Sequence, residues 1–500
     1  MRWKATLAGA VFLALIAWTT PSFAEVQNVK VGGEVNVRSF LRKNLRLSND
    51  VFNGIGAGST TAVDAVATDF GSSGDSFLQQ LTAVNIGADL TENVSTQLRL
   101  INQRVWTSMA ADAANAAVDS TNQVDISLAN VTLKELFYAP LSVTIGRQRL
   151  WFGRGFIVGS RLVNGDVDPE QSLAADEFSD LTAFDAIRGT LDLSGMTGGM
   201  PVTLDAVYAK VDENNISQAK TGAVADDVNL LGLNLGTHFS QWNGEVETYF
   251  WKKQDNSNNP GATVDTDSQA NTLGIRGSSA PMDGVSLWSE LAYQWGHRIT
   301  SAIGFDAEGA AGDGYQAWAA NLGLDYTAKS VAWTPTIGGE WVFYSGGKDQ
   351  ASAAGTSAIG GWDPVFRGHF FSALRDFQAA GFYMPAQSGA TLDGTFNNVT
   401  NATTNQHALS VHALMKPLED LALDTKYSWF IAPVGIRPTT SAGTKEKHGL
   451  GAEWDTQLTY NYTDDVQLGV VYAFFAPGNV FRNPYDAPAQ ELVTSVNVKF

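Results

Sequence analysis

Residues 489–500 read Ala-Gln-Glu-Leu-Val-Thr-Ser-Val-Asn-Val-Lys-Phe. Apolar side chains occupy one parity of this stretch, at Leu492, Val496, Val498 and Phe500. Polar side chains occupy the other parity, at Glu491, Ser495, Asn497 and Lys499. Successive side chains of an extended strand point to opposite faces, so a period of two predicts a β-strand with one apolar and one polar face.

The same alternation recurs through the chain after residue 25, and it predicts about 18 strands, a number within the range of known transmembrane barrels. The first nine lie near 29–42, 78–90, 94–106, 123–134, 141–150, 182–194, 201–211, 228–239 and 242–252. The second nine lie near 269–278, 285–297, 316–327, 331–345, 405–416, 420–432, 448–461, 465–476 and 489–500. The apolar parity changes within 123–134, which predicts a β-bulge there.

The connections between these strands alternate between short and long. Short ones lie at 91–93, 194–200, 240–241, 279–284, 417–420 and 461–465. Long ones lie at 43–77, 107–122, 151–181, 212–227, 253–268, 298–315, 346–404, 433–447 and 477–488. Short periplasmic turns and long extracellular loops are typical of outer-membrane barrels, so we predict an all-β, antiparallel transmembrane β-barrel. The pattern leaves open whether the long loop 346–404 enters the pore.

Residues 1–24 have the three parts of a secretory signal peptide. Arg2 and Lys4 precede an apolar run over 5–18, and Ser22-Phe23-Ala24 offers small residues for cleavage after Ala24. The apolar run is shorter than the roughly 20 residues that a transmembrane helix needs. We therefore predict a signal peptide over 1–24 and a single barrel over 25–500 in the outer membrane.

The composition excludes several functions. The chain has no cysteine, which excludes disulfides, a thiol nucleophile and cysteine-ligated metals. Its net charge of −19 lacks the basic footprint of a nucleic-acid-binding protein. The six histidines have no zinc-site spacing, and His407 and His412, five residues apart, face opposite sides of a strand. Catalytic motifs such as GxSxG are absent, and Glu245 with Glu247 is an ordinary pair on a polar strand face, so we expect neither an enzyme nor a cofactor.

If the apolar parity faces lipid, the polar parity lines the pore. The basic residues on this parity are Arg38, Arg42, Arg99, Arg188, Arg276 and Lys426. The acidic ones are Glu34, Asp192, Asp205, Glu245, Glu247, Glu290, Glu340, Asp424, Glu453 and Asp455. Such fixed charges either select the solutes that pass or pair across the lumen to stabilise it.

Two further groups of residues concern the membrane interface. Aromatic residues near strand ends predict interfacial girdles, at Trp106, Phe250, Trp251, Trp295, Tyr344, Trp429, Phe474 and Phe475. The densest basic cluster comprises Arg147, Arg149, Arg154 and Arg161. This cluster fits three alternative roles: an anion-recruiting mouth, contact with lipopolysaccharide phosphates, or loop packing. Arg147 falls on the lipid-facing parity of its strand, so we expect its side chain to reach towards the membrane interface or to begin the loop.

Seven short segments along the chain form a recognisable series. They are Leu141-Ser-Val-Thr-Ile-Gly-Arg147-Gln148, Phe184-Asp185-Ala-Ile-Arg188, Ala317-Trp-Ala-Ala-Asn-Leu-Gly, Gly339-Glu340-Trp-Val-Phe-Tyr344-Ser-Gly, Trp362-Asp363-Pro364-Val-Phe366, Lys416-Pro417-Leu418-Glu419 and Phe475-Ala-Pro477-Gly478. In order and spacing, these segments resemble the alginate export family of outer-membrane porins. The terminal strand with its final Phe500 also resembles the recognition strand that ends outer-membrane proteins.

The resemblance implies a monomeric barrel of 18 strands that passes an anionic polysaccharide through an arginine-rich constriction. By matching motif, Arg188 is the candidate constriction residue, with Arg147 and Gln148 beside it. The mixed lumen charge extends the expected cargo to oligosaccharides and small anionic solutes. The expected partners are the lipid bilayer, lipopolysaccharide and a periplasmic export partner. The alternative is a general porin or a scaffold barrel with a partner protein in its lumen.

Overall fold

The computed structural model describes part of the chain. The described residues are 28–44, 75–106, 124–161, 180–212, 228–255, 268–297, 314–346, 361–376, 405–436, 447–481 and 487–500.

The described residues form eighteen strands, numbered in chain order. The first nine are β1 (Asn28–Lys43), β2 (Asp75–Thr91), β3 (Val94–Val105), β4 (Asp125–Leu133), β5 (Leu141–Gln148), β6 (Phe184–Asp192), β7 (Val202–Asp212), β8 (Val228–Phe239) and β9 (Gly244–Asp255). The others are β10 (Ser268–Ser279), β11 (Val285–His297), β12 (Gly314–Thr327), β13 (Thr336–Tyr344), β14 (Gln406–Leu418), β15 (Leu421–Ile436), β16 (Lys447–Asn461), β17 (Val466–Pro477) and β18 (Ala489–Lys499).

Each strand pairs antiparallel with its neighbours in sequence, and β1 also pairs with β18, which closes the sheet into a barrel. The closing pair aligns Val35 with Val498, and Phe500 exchanges backbone hydrogen bonds of 2.8 and 3.0 Å with Gly33. Eight short turns lie at one end, here called the short-turn end, and the strand ends that flank the longer connections lie at the opposite end, here called the long-connection end. The predicted antiparallel barrel of 18 strands is confirmed.

The predicted bulge in 123–134 is also present. Arg99 pairs with Leu128 and Leu100 pairs with Ile126, so Ser127 is the extra residue in β4. One predicted boundary is wrong, because the strand placed at 331–345 begins only at Thr336. Residues 331–335 form a turn in which Trp333 (φ 69°) and Thr334 (φ 42°) adopt left-handed conformations that no strand contains.

The two faces of the sheet differ as the alternation predicts. On β8 the outward Leu231, Leu233 and Leu235 are exposed, whereas the inward Asn234 is buried. In a barrel with a single sheet layer, the buried parity must face the interior. The exposed apolar parity therefore faces the lipid, where a charge near the bilayer midplane would cost roughly 2–4 kcal/mol.

Three aromatic residues predicted for the interfacial girdles lie elsewhere. Trp251, Tyr344 and Phe475 are inward and buried, because their strand parity is that of the lumen. The other five point outward, at Trp106, Phe250, Trp295, Trp429 and Phe474. The described residues also include two short 3-10 turns, Leu136–Tyr138 and Gln241–Asn243, and no helix among them is long and apolar enough to cross a membrane.

Inward aromatic rings lie flat over glycines of the neighbouring strand. A Cβ atom built at Gly232 on β8 would overlap the ring of Trp251 on β9. We therefore predict that Gly232→Ala lowers the free energy of unfolding by about 1–3 kcal/mol, because the added methyl group displaces the ring of Trp251. Urea titration of the refolded barrel in lipid vesicles measures this loss. The matched control is Gly87→Ala, where an added Cβ meets no atom within 4 Å. Equal stability of the two variants would contradict the prediction.

Candidate functional site

Two stretches of the connections at the long-connection end fold into the barrel. They are residues 149–161, between β5 and β6, and 361–376, between β13 and β14, and we call them the inserted segments. Phe156, Val158, Trp362 and Phe366 on these segments are at most 2% exposed. The described part of the long loop 346–404 therefore lies inside the barrel, which answers the question that the sequence left open.

The inserted segments hold each other through their backbones. Gly159 and Ser160 both donate to the carbonyl of Phe366, at 2.7 and 3.1 Å, and Gly368 donates to that of Gly155 at 2.8 Å. The two chains approach closely, since a Cβ on Gly159 would lie only 2.9 Å from the Cα atom of Gly368. These bonds satisfy backbone groups that would otherwise be buried without partners.

Two carboxylates of the barrel wall anchor the end of the second inserted segment. Glu453 accepts hydrogen bonds from the backbone N–H groups of Leu374 (2.6 Å) and Arg375 (2.8 Å). Asp455, two residues along the same strand, accepts one from Ala373 at 3.3 Å. Backbone amides thus supply part of the compensation that a buried carboxylate requires.

Other wall residues hold the start and middle of this segment. Gln294 and Asp363 exchange two hydrogen bonds of 2.9 Å, in which the amide of each partner meets a carbonyl oxygen of the other. Lys253 lies 3.5 Å from the carboxylate of Asp363. His369 lies 3.2 Å from Glu340 on β13.

An internal ion pair stiffens the segment further. Arg367 and Asp376 lie 2.7 Å apart, and their side chains are at most 1% exposed. Burial alone would lower the pKa of Arg367, but the negative charge of Asp376, together with Tyr344 and the hydrogen bonds to both residues, outweighs burial and raises the pKa above its ordinary value. The guanidinium therefore stays charged, and the pair costs stability if either partner is removed.

The predicted basic lumen residues all lie on the inward parity, and most lie beside carboxylates. Arg42 pairs with Glu491 at 2.6 Å, Arg99 with Glu34 and Asp180 at 2.7 Å each, and Arg188 with Asp205 at 2.8 Å. Arg276 binds both Glu245 and Glu247. Lys426 lies opposite Asp455 in the strand register, and Arg38 lies opposite Ser495.

The predicted polar residues Gln148, Glu290 and Glu340 are inward and buried as well. Gln148 donates to the carbonyls of Thr144 and Ala186, at 3.0 and 2.9 Å. Its amide therefore holds the end of β5 to β6. Glu290 accepts a hydrogen bond of 2.6 Å from Tyr249, and Glu340 accepts one of 2.7 Å from Asn321.

Inside the barrel, three arginine side chains are partly exposed, whereas three glutamates are buried. The side chains of Arg149, Arg154 and Arg188 are 55%, 40% and 30% exposed. Arg154 lies over the ring of Trp288 at 4.1 Å, and Arg188 lies over that of Phe152 at 5.0 Å. By contrast, the carboxylates of Glu290, Glu340 and Glu453 are at most about a tenth exposed.

Sequence reasoning missed one residue at the centre of this arrangement. Asp180 lies just before β6, binds Arg99 at 2.7 Å and Arg149 at 2.9 Å, and receives a hydrogen bond from Ser127. Nothing in the alternating pattern marks it, because it belongs to an irregular connection. The nearby Arg147 faces outward, as its parity predicts, and pairs there with Asp185. No group of three or more His, Asp or Glu side chains among the described residues is arranged to hold a metal ion.

Comparison with known proteins assigns the family. The fold is similar to those of the outer-membrane porins OpdQ of Pseudomonas aeruginosa (TM-score 0.50, 11% sequence identity, covering 95% of this chain and 99% of that one) and OccAB1 of Acinetobacter baumannii (TM-score 0.50, 11% identity, 96% and 99%). At such identities the likeness concerns the fold alone. No curated protein matches the chain. The model of the alginate export family matches residues 55–495. The chain therefore belongs to the alginate export family and forms a porin-type channel in the Gram-negative outer membrane.

Proposed function

We propose that the channel is anion-selective and passes acidic saccharides or other small organic anions by passive diffusion or export. The observation that carries this proposal is the difference in exposure between the interior charges. The side chains of Arg149, Arg154 and Arg188 are 30–55% exposed. A solute that passes these residues therefore meets guanidinium groups.

The excess of acidic residues on the lumen parity does not oppose this proposal. The carboxylate of Glu453 accepts hydrogen bonds from two backbone amides, and that of Glu340 contacts Asn321 and His369. Glu245 and Glu247 both bind Arg276. Carboxylates that are buried and compensated in this way contribute little field at the open part of the lumen, so exposure decides selectivity more than the count of charges.

The chemistry around Arg188 suits a carboxylated sugar. A guanidinium fork binds a carboxylate with two parallel hydrogen bonds. The ring of Phe152, 5.0 Å from the Arg188 guanidinium, offers an apolar surface for the C–H face of a sugar ring. Asp205 already holds one side of the guanidinium, which weakens its hold on a solute and permits the release that conduction requires.

The inserted segments favour this proposal over a scaffold barrel. They contact wall residues from β6 to β17, as with Phe366 against Phe184 and Arg375 against Phe475. The chain itself thus occupies part of the lumen in which a partner protein would sit. As the family resemblance implies, we extend the proposal to a monomer that receives acidic polysaccharide from a periplasmic export partner.

The direct test is planar-bilayer conductance with the reversal potential measured under a salt gradient. We expect an anion-selective channel whose anion preference falls roughly twofold in Arg188→Gln, because the variant removes an exposed positive charge and leaves Asp205 uncompensated. The matched control is Arg147→Gln, which removes the same charge from the outer face. A cation-selective wild-type channel, or equal selectivity of the two variants, would overturn the proposal.

The acidic cargo has its own test in the same apparatus. We expect short uronate oligosaccharides to interrupt the current for brief periods, and neutral oligosaccharides of equal length to interrupt it much less. The interruptions should shorten in Arg188→Gln, because a bidentate contact is lost. Equal interruption by the neutral sugars would indicate a general porin instead.

The inserted segments should narrow the pore. We predict that replacing residues 350–400 with a short Gly-Ser linker leaves the barrel folded and raises its conductance, because β13 and β14 pair directly with each other. Glu453→Gln should raise conductance less, since it weakens only the anchor at Leu374 and Arg375. Asp283→Asn, in an exposed turn at the short-turn end, which is the periplasmic end in outer-membrane barrels, is the control. Unchanged conductance in both lumen variants would show that the segments do not restrict the pore.

A further inference from the structure

The outer surface of the barrel carries an arc of basic side chains at the long-connection end, which is the extracellular end in outer-membrane barrels. Five strands that run towards this end, each separated from the next by one strand, have one outward basic residue within their last four positions. They are Lys43 on β1, Arg104 on β3, Arg147 on β5, Lys210 on β7 and Lys252 on β9. We call these five residues the basic arc.

The outward direction of the arc follows from its contacts. Arg147 donates to both carboxylate oxygens of the exposed Asp185, at 3.1 and 3.0 Å, and to the carbonyl of Ile126 at 3.0 Å. Arg104 lies opposite the outward Gln80, whose amide oxygen also accepts a hydrogen bond of 3.0 Å from Trp106. The guanidinium groups are thus held against the wall on the lipid side.

The rest of the rim has a different composition. On β11, β13, β15 and β17, which run in the same direction, the last four positions hold no lysine or arginine. The outward residues there include Trp295, Phe343 and Phe474, with His297 at the end of β11. Trp295 packs against the outward Tyr293 at 5.7 Å. Aromatic side chains are the ordinary occupants of a lipid–water interface. The basic arc departs from this pattern over half of the circumference.

The charge of the basic arc and its position on the barrel indicate a binding partner in the headgroup layer of the membrane. Lysine and arginine are tolerated on a lipid-facing wall only where they reach the headgroup layer. Residues on alternate strands lie about 10 Å apart along the rim, given the spacing between strands. Asp185 lies opposite both Arg147 and Lys210 in the register, so it orients these cations and leaves the arc with an excess of positive charge.

We propose that the basic arc binds the phosphate groups of lipopolysaccharide in the outer leaflet. Arginine and lysine side chains bind phosphate oxygens through charge-assisted hydrogen bonds. A headgroup that carries two phosphates spans neighbouring members of the arc, whereas a phospholipid with one phosphate contacts a single member. The proposal concerns the outer wall, so it stands or falls independently of the anion selectivity of the lumen.

The test compares three proteins refolded in detergent. They are the wild type, a variant with all five arc residues replaced by glutamine, and a control with glutamine at Lys30, Lys134, Lys329, Lys416 and Lys499 near the periplasmic end. The control has the same net charge as the arc variant. Binding of bisphosphorylated lipid A, its dephosphorylated form and phosphatidylglycerol is measured by native mass spectrometry, and folding is checked by the heat-dependent shift in gel mobility.

We expect the wild type and the control to bind bisphosphorylated lipid A about tenfold or more tightly than the arc variant. Removal of the phosphates should abolish the difference between the arc variant and the control. Equal binding of bisphosphorylated lipid A by the folded arc variant would overturn the proposal. Equal preference for phosphatidylglycerol would also overturn it, since the arc would then be a general anionic-lipid surface. If the quintuple variant does not fold, Arg147→Gln with Lys210→Gln is compared with Lys329→Gln plus Lys416→Gln in the same way.

Discussion

Everything in this molecule depends on the pairing of β1 with β18. The hydrocarbon core of a bilayer offers no hydrogen-bonding partner, so each unpaired backbone group there costs several kcal/mol. Closing the sheet removes both of its edges, and the closing register runs from Glu34 opposite Lys499 to Lys43 opposite Gln490. Closure also fixes which side of every strand faces lipid. A slip of one residue in any pair would turn a whole row of side chains to the wrong side, so register and sidedness are specified together.

Backbone hydrogen bonds also stabilise the interior, where buried carboxylates need partners. A barrel of eighteen strands is wide, and its inward parity carries many carboxylates. The inserted segments bring backbone amides and polar side chains to these carboxylates, as Leu374 and Arg375 do at Glu453. The segments gain anchors, and the carboxylates gain partners. Burial of Phe156, Trp362 and Phe366 adds an apolar core inside the barrel, which a simple water-filled pore does not have.

Sequence predicted the strands well, because a period of two is a direct consequence of strand geometry facing two different solvents. The prediction failed for residues that do not lie in a strand between two different solvents, or whose surroundings a folded loop changes. Residues 331–335 lie in a predicted strand but form a turn, and the predicted interface residues Trp251, Tyr344 and Phe475 lie inside. Period two tells which side chains share a face, but not whether aromatic residues on the polar face are covered by a folded loop. Glu453 and Asp455 were predicted to line the lumen, but their bonds to an inserted segment were not. Asp180 was missed for the same reason, since irregular connections have no period.

The adjacent residues Arg147 and Gln148 show how far one step along a strand changes the role of a side chain. Arg147 lies on the outer face with Asp185, at the level of lipid headgroups, whereas Gln148 lies inside and holds β5 to β6. The motif that contains both residues therefore does not by itself place a positive charge in the pore. In the proposed channel, the charge that meets a solute comes instead from Arg149 and Arg154, on the inserted segment that follows, and from Arg188 on the neighbouring strand β6. Under this proposal, selectivity depends on where the connections fold as much as on what the strands carry, and relatives with similar strands but different connections are expected to differ in the solutes that they pass.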